Sequence, residues 1–260
     1  MHFDFYKYQG TGNDFILIDN RRLFVSLNPE QVKQVCDRRF GIGADGLMLL
    51  EPEPGYDFRM TYYNSDGNPS SMCGNGGRCI TAFAKHLGII DSSTTFMAVD
   101  GSHDATINEE GIVSLKMQDV KEVETGEGYF YLNTGSPHYV TFVNNVEQLD
   151  VVVEGKKIRN SDRFIQEGTN VNFIEKQGDA LFVRTYERGV EDETFSCGTG
   201  VTAAALVAAL NGLSSSKNLC TIQTRGGELS VSFEKVLENN FYNIWLTGPA
   251  EMVFKGTFQI

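Results

Sequence analysis

The sequence predicts two α+β domains, each built of short strands around one central helix. Three observations carry this: an internal duplication, strands divided by Gly-rich turns, and two helices that each follow a Cys-Gly turn. The segment GTGNDFILIDN at 10–20 resembles NTGSPHYVTFVNN at 133–145, and DFRMTYYNSDG resembles ALFVRTYERGV. CGNGGRCITAFAKHL at 73–87 matches CGTGVTAAALVAAL at 197–210, and VDGSHDATI and TRGGELSVS follow them as Gly-containing strand pairs. The offset is 123 for Gly12 to Gly135 and for Asn64 to Glu187, and 124 for Cys73 to Cys197. One residue inserted in ERGVEDETFSCGTG accounts for the drift. Four blocks in one order at a near-constant offset are not chance similarity.

Each element has a local reason. Phe15–Asp19 is an apolar strand, and Pro29–Arg38 is a helix with Asn28 as N-cap and Pro29 in its first turn. Phe58–Tyr63 alternates as a strand. Gly76–Leu87 is a helix opened by a glycine-rich turn and closed by Gly88. Thr106–Ile107 and Val113–Met117 form a strand pair. In the second half, Phe182–Tyr186 is a strand and Val201–Leu210 a helix closed by Gly212. Boundaries fall at 1–120 and 121–250, with 251–260 left over. A twofold pair of domains is expected to hold one small-molecule site where the halves meet.

Composition removes several function classes. The 260 residues carry 22 Lys and Arg against 34 Asp and Glu, a net charge of -12, which argues against a general nucleic-acid binder. No apolar run reaches the roughly 20 residues of a membrane helix, and MHFDFYKYQG lacks the apolar core of a signal peptide. Five cysteines form no disulfide framework. The expectation is a soluble, cytoplasmic protein without membrane or nucleic-acid partners.

The cysteine turns narrow the chemistry. Cys73 and Cys197 each stand just before a helix, where the first N–H groups lack intrahelical acceptors and the dipole favours negative charge. Such a thiol tends toward a lowered pKa, and the amides of Gly74-Asn75-Gly76 and Gly198-Thr199-Gly200 can grip a carboxylate. Two thiols flanking one carbon suit inversion of a stereocentre: one removes the α-proton, the other returns one. The helix ends would stabilise the charge that develops on the carboxylate. Glu187 and His138 lie in blocks that the repeat brings toward the site, so either can poise a thiol.

At these residues the chain resembles the diaminopimelate epimerase family. The signatures are GTGNDF, YYNSDGNPSSMCGNGGRC, TGSPH, GTNVNF and ERGVEDETFSCGTG, spread over nearly the whole length. The resemblance implies two similar halves, each a mostly antiparallel strand barrel around a helix, in a homodimer whose last segment, Glu251–Ile260, returns to the first half. It implies cofactor-independent interconversion of LL- and meso-diaminopimelate, in lysine and peptidoglycan precursor synthesis. Cys73 and Cys197 become the acid/base pair, with His138 and Glu187 assisting. Substrate contacts fall on Asn13, Asn64, Gly74, Asn75, Asn170, Glu187, Arg188, Gly198 and Thr199. No metal or other cofactor is implied. Two departures bear on substrate choice: Ser136 stands where the family commonly has Asn, and Gly46 where a Gln is frequent.

Blander readings hold elsewhere. Cys36, Cys79 and Cys220 read as small buried apolar residues. His2, His86 and His103 read as surface or packing residues. Gly41 to Gly46 satisfies GxGxxG, but a helix precedes it and a strand follows, the reverse of a dinucleotide turn. Cys73 and Cys79 have no neighbouring histidine to complete a zinc site. Two competing functions stay open: a racemase for another amino acid, such as a proline-type substrate, and a non-catalytic amino-acid-binding or thiol-redox protein.

Overall fold

The computed structural model describes residues 2–70, 72–237 and 239–260. The chain forms two compact units: residues up to Leu115 together with Pro249–Ile260, and Lys116–Gly248. Among the described residues, no helix is long and apolar enough to cross a membrane.

The first unit opens with a hairpin of β1 (His2–Gly10) and β2 (Asn13–Asp19). Its two-residue turn, Thr11-Gly12, has positive φ at both positions, the geometry that matches strand twist. β3 (Gly46–Glu51) lies parallel to β2 and antiparallel to β4 (Arg59–Asn64). β5 (Ser93–Ala98) follows β4 in parallel, and β6 (Gly101–Ile107) and β7 (Ile112–Lys116) complete an antiparallel meander. The closing strand Glu251–Gln259 pairs antiparallel with β1. Helix α1 (Pro29–Cys36) connects β2 to β3, and α2 (Gly74–His86) contacts β1, β2, β3, β6 and the closing strand.

The apolar runs of β2 and β3 are explained by burial on both faces. Ile16, Ile18, Leu47 and Leu49 pack outward against Val32, Val35 and Cys36 of α1. Met48 points the other way, and a Cβ added at Gly76 of α2 would lie 2.2 Å from its methyl. Asn28 forms the expected cap, a full capping box with Gln31. α1 stops two residues before the expected Arg38 because the Asp37 carboxylate accepts the amides of Arg39 and Phe40, at 2.7 Å each, and turns the chain.

The second unit repeats this order. β8 (Glu124–Thr125) pairs with β9 (Phe130–Asn133), and β9 with β10 (Pro137–Phe142), both antiparallel. β10 is parallel to β11 (Asn170–Gln177), which is antiparallel to β12 (Ala180–Glu187). β12 also pairs with the short β13 (Asp192–Thr194). It runs parallel to β14 (Leu219–Thr224), after which β15 (Gly227–Leu237) and β16 (Asn240–Pro249) continue antiparallel. Both units are thus mostly antiparallel, and each has one parallel step at its crossover helix and one flanking its central helix. That central helix in the second unit, α4 (Gly198–Leu210), contacts β9, β10, β11, β12, β14 and β15.

The crossover helix α3 (Val151–Arg159) is not among the three helices expected from sequence. Its Val151-Val152-Val153 start has weak helix propensity. Tertiary context compensates: Asp150 caps Val153, and Val151 joins a core with Val171, Phe173 and Tyr186. Gly155 lets the helix lie against Tyr186, since a Cβ there would sit 2.4 Å from the Tyr186 Cβ.

Candidate active site

Both cysteine helices start earlier than propensity suggests, directly after the cysteine. Cys73 is the N-cap of α2 (φ -110, ψ 130) and Cys197 the N-cap of α4 (φ -117, ψ 111). Gly74 and Gly198 are therefore first-turn residues. In each helix the cysteine carbonyl accepts the first intrahelical bond, from Gly77 at 2.7 Å and from Val201 at 2.8 Å. The first-turn N–H groups that follow have no acceptor within their own helix, a setting that favours an anion. The structure describes one such centre in each unit.

In the first unit the Cys73 thiol donates to Asn13 Oδ1 at 3.6 Å. The same oxygen accepts from Asn75 Nδ2 at 3.2 Å. Asn13 Nδ2 in turn donates to Asp45 Oδ2 at 2.7 Å. Asn13 opens β2, and Asn64 ends β4 opposite Gly46, so two sequence-expected residues stand on adjoining sheet ends. Arg78 lies beneath, fully buried, donating to Asn75 Oδ1 at 3.1 Å and Thr11 Oγ1 at 3.2 Å. No described carboxylate forms a salt bridge with it, and burial lowers its pKa.

Gly46 also has a structural reason. A Cβ there would lie 2.5 Å from Cε2 of Tyr62 and 2.6 Å from the Tyr63 carbonyl, so the Tyr62 ring occupies the room a longer side chain would need.

In the second unit, Cys197 is buried, and its sulfur lies 3.5 Å from the Thr199 hydroxyl. Thr134 Oγ1 donates to the Thr199 carbonyl at 2.8 Å, tying the β9–β10 turn to the helix start. His138 is fully buried. Asn172 Nδ2 donates to the Tyr139 carbonyl at 3.0 Å, which fixes that amide's orientation and makes His138 Nδ1, 3.1 Å away, an acceptor. The ring proton therefore resides on Nε2, which is buried without a described partner. Burial, aided by the Arg188 charge and opposed by the Asn172 bond, pulls the His138 pKa from 6.5 down to about 3. At neutral pH the ring is an uncharged donor. Gly200 admits this arrangement: a Cβ there would lie 2.4 Å from Asn172 Oδ1 and 3.4 Å from His138 Cε1.

Three further residues converge. Asn170 Nδ2 donates to Ser136 Oγ at 3.0 Å, and its Oδ1 accepts the Arg188 amide at 2.9 Å. The Arg188 guanidinium reaches Ser136 Oγ at 3.4 Å and the Glu167 carbonyl at 3.0 Å. Ser136 thus sits between Asn170 and Arg188 as the departure's small polar substitute. Glu187 ends β12 opposite Asp192, half-buried.

The remaining cysteines are packing residues. Burial pushes the thiols of Cys36 and Cys79 up to about 12 and that of Cys220 to about 11. His103 stacks on Phe96 and His86 meets Tyr6 edge-on. Gly41 to Gly46 runs from α1 into β3, which removes the dinucleotide reading. Sequence reasoning missed Asn172, Asp45 and Arg78. Asn172 lies inside the GTNVNF signature and Arg78 inside CGNGGRC, so both were within view of the motifs.

The family model described as diaminopimelate epimerase matches residues 5–123 and 130–253. A diaminopimelate epimerase from Flavobacterium psychrophilum is 57% identical over 255 residues, covering 97% of this chain and 98% of its own. One from Chlorobaculum tepidum is 45% identical over 260 residues, covering 96% and 99%. Solved structures share the fold at low identity. A phenazine biosynthesis protein of the PhzF family from Bacillus anthracis has TM-score 0.74 at 15% identity, with both chains covered fully. A probable proline racemase from Agrobacterium radiobacter has TM-score 0.72 at 17%, covering 99% of this chain and 92% of its own. With matches along nearly its whole length, the chain belongs to the diaminopimelate epimerase family.

Proposed function

We propose that this chain interconverts LL- and meso-2,6-diaminopimelate without a cofactor, using Cys73 and Cys197 as a two-base pair. The observation that carries this is the repeated placement of a cysteine as N-cap of the central helix of each unit. In the scheme one cysteine is a thiolate and the other a thiol, on opposite faces of the α-carbon. The thiolate takes the α-proton, and the C–H electron pair passes into the carboxylate as an enediolate. The N-terminal amides of α2 and α4 hold the growing charge. The opposite thiol then gives its proton to the carbon, leaving the stereocentre inverted and the two sulfurs with exchanged protonation states.

His138 assists as a neutral Nε2–H donor, and Glu187 as a carboxylate at the end of β12. The distal end of the substrate falls to Arg188, Asn170 and Ser136, where a guanidinium beside two small polar groups suits a second amino-acid head. Asn64 also falls to the distal end, and Asn13, Gly74, Asn75, Gly198 and Thr199 contact the reacting end and its carboxylate. A role in lysine and peptidoglycan precursor synthesis, a cytoplasmic location and a homodimer belong to the same reading through family membership.

Proton NMR of LL-diaminopimelate with reduced protein tests the reading. Loss of the α-proton signal at one centre in D2O, with meso product forming, is the expected outcome. A folded, reduced protein that causes no exchange contradicts it. A proline-type substrate is disfavoured because it would leave the Arg188 cluster unmatched. A thermal-shift panel separates the two, since only the true substrate raises the melting point strongly.

A further inference from the structure

The Asn13 amide lies between a carboxylate and a thiol, and its orientation is set by groups that bond in only one sense. A carboxylate of ionised Asp45 only accepts, so the Asn13 Nδ2 must face it, at 2.7 Å. The carbonyl oxygen is left to face the Cys73 sulfur at 3.6 Å and Asn75 Nδ2 at 3.2 Å. The other end of the chain is equally constrained. The Arg78 guanidinium only donates, so Asn75 Oδ1 faces it at 3.1 Å and Asn75 Nδ2 must seek an acceptor. Both amides are fixed from both ends.

Asp45 is itself held. Its Oδ1 accepts from Arg38 Nη2 at 2.8 Å and its Oδ2 from the Asp14 amide at 3.2 Å. Arg38 also grips Asp14 through two bonds of 2.7 and 2.9 Å, and the buried Lys7 ammonium pairs with Asp14 at 2.7 Å. Burial alone would raise the Asp14 pKa, but Arg38 and Lys7 outweigh it and keep it well below the usual carboxylate range. The network is anchored on a charge that persists through neutral pH.

We propose that Asp45 is a positioning residue that acts on Cys73 through Asn13, turning the amide so that an acceptor, not a donor, faces the sulfur. An acceptor bonds S–H and repels S⁻, so this contact favours the protonated form of Cys73. It opposes the helix N-terminus and Arg78, both of which favour the thiolate. The equivalent positions of the second unit do not repeat the pair. Ser136 precedes β10 where Asn13 opens β2, Thr169 precedes β11 where Asp45 precedes β3, and neither carries charge.

The importance of the device rests on the proposed acid/base role of Cys73, but its test needs no turnover. In a Cys197→Ala background the alkylation rate of Cys73 by iodoacetamide is compared with and without Asp45→Asn, at one neutral pH. Cys36, Cys79 and Cys220 are buried with raised thiols and stay silent. Without the carboxylate, the Asn13 amide is held only by the longer Asn75 contact at 3.2 Å and can turn its N–H toward the sulfur, and alkylation is expected to accelerate about threefold or more, with matching growth of thiolate ultraviolet absorbance. In an added Asn13→Ala background the same change at position 45 is expected to have no effect. An unchanged rate overturns the proposal. So does an acceleration that persists without the Asn13 amide, because that would be the lost charge acting directly. Should Asp45→Asn fold poorly by circular dichroism, Asp45→Ser gives the same comparison. Failure of the diaminopimelate NMR assay alongside a positive alkylation result would fault the functional reading and leave this one standing.

Discussion

The two cysteine helices share a backbone and differ in the chemistry around it. α2 and α4 are both 13 residues long, both begin with a glycine after a cysteine N-cap, and neither cysteine side chain caps its own helix. Around Cys73 the first unit places buried Arg78 and a charged chain of Lys7, Asp14, Arg38 and Asp45 that ends on Asn13. Around Cys197 the second places the Thr199 hydroxyl, with Asn172 and a neutral His138 beside the helix start at Gly200. The duplicated part is a helix N-terminus, the feature by which the proposed scheme would favour a thiolate. The diverged part is the one that can tell two thiols apart. A two-base epimerase needs both, since one sulfur must enter protonated and the other bare.

The largest effect should come from removing either thiol. Cys73→Ala and Cys197→Ala are each expected to lower the epimerisation rate about 10²–10⁴-fold or more while the fold persists, checked by NMR turnover and circular dichroism. Near-wild-type turnover in either variant would break the symmetry of the account.

A glycine pair sharpens the comparison next. Gly76→Ala directs a Cβ toward the flexible methyl of Met48, whereas Gly200→Ala directs one at Asn172 Oδ1, 2.4 Å away. Gly200→Ala is therefore expected to cost about 1–3 kcal/mol of stability and to disturb His138, with Gly76→Ala the milder change. Thermal melts of the two variants decide it; equal costs would mean that the two helix starts are packed alike.

A third expectation concerns acid. His138 titrates near 6.5 when unfolded but at about 3 when folded. The unfolded chain therefore binds the proton first, and stability falls as pH drops from about 6.5 toward about 3, at up to ~1.4 kcal/mol per pH unit. His138→Gln should flatten that part of the stability profile in urea titrations at several pH values. A variant that keeps the wild-type slope would show that His138 is not buried neutral.

Sequence made the frame legible because repetition is a long-range signal read without coordinates. The four repeated blocks, the N-cap at Asn28 and the glycine-flanked cysteines all emerge as strands, caps and helix ends in the structure. What stayed hidden depends on side-chain orientation across distant segments. Asn13 and Asp45 are joined only because β2 and β3 lie parallel, a pairing that no local pattern announces. Helix α3 was missed because three valines outvote one aspartate cap until the core is known. Gly46 looked like a loss at a substrate-facing position; only the Tyr62 ring packed against it shows why glycine is required there.

The most direct test of the two-base account follows deuterium at early times. LL-diaminopimelate is incubated with wild-type protein in D2O, and both remaining substrate and first-formed meso product are analysed. Two thiols acting on opposite faces put deuterium at the inverted centre of the product while the remaining substrate stays protiated. Equal labelling of both pools, or a product that retains its original hydrogen, would mean that a single base serves both faces, and would contradict the account.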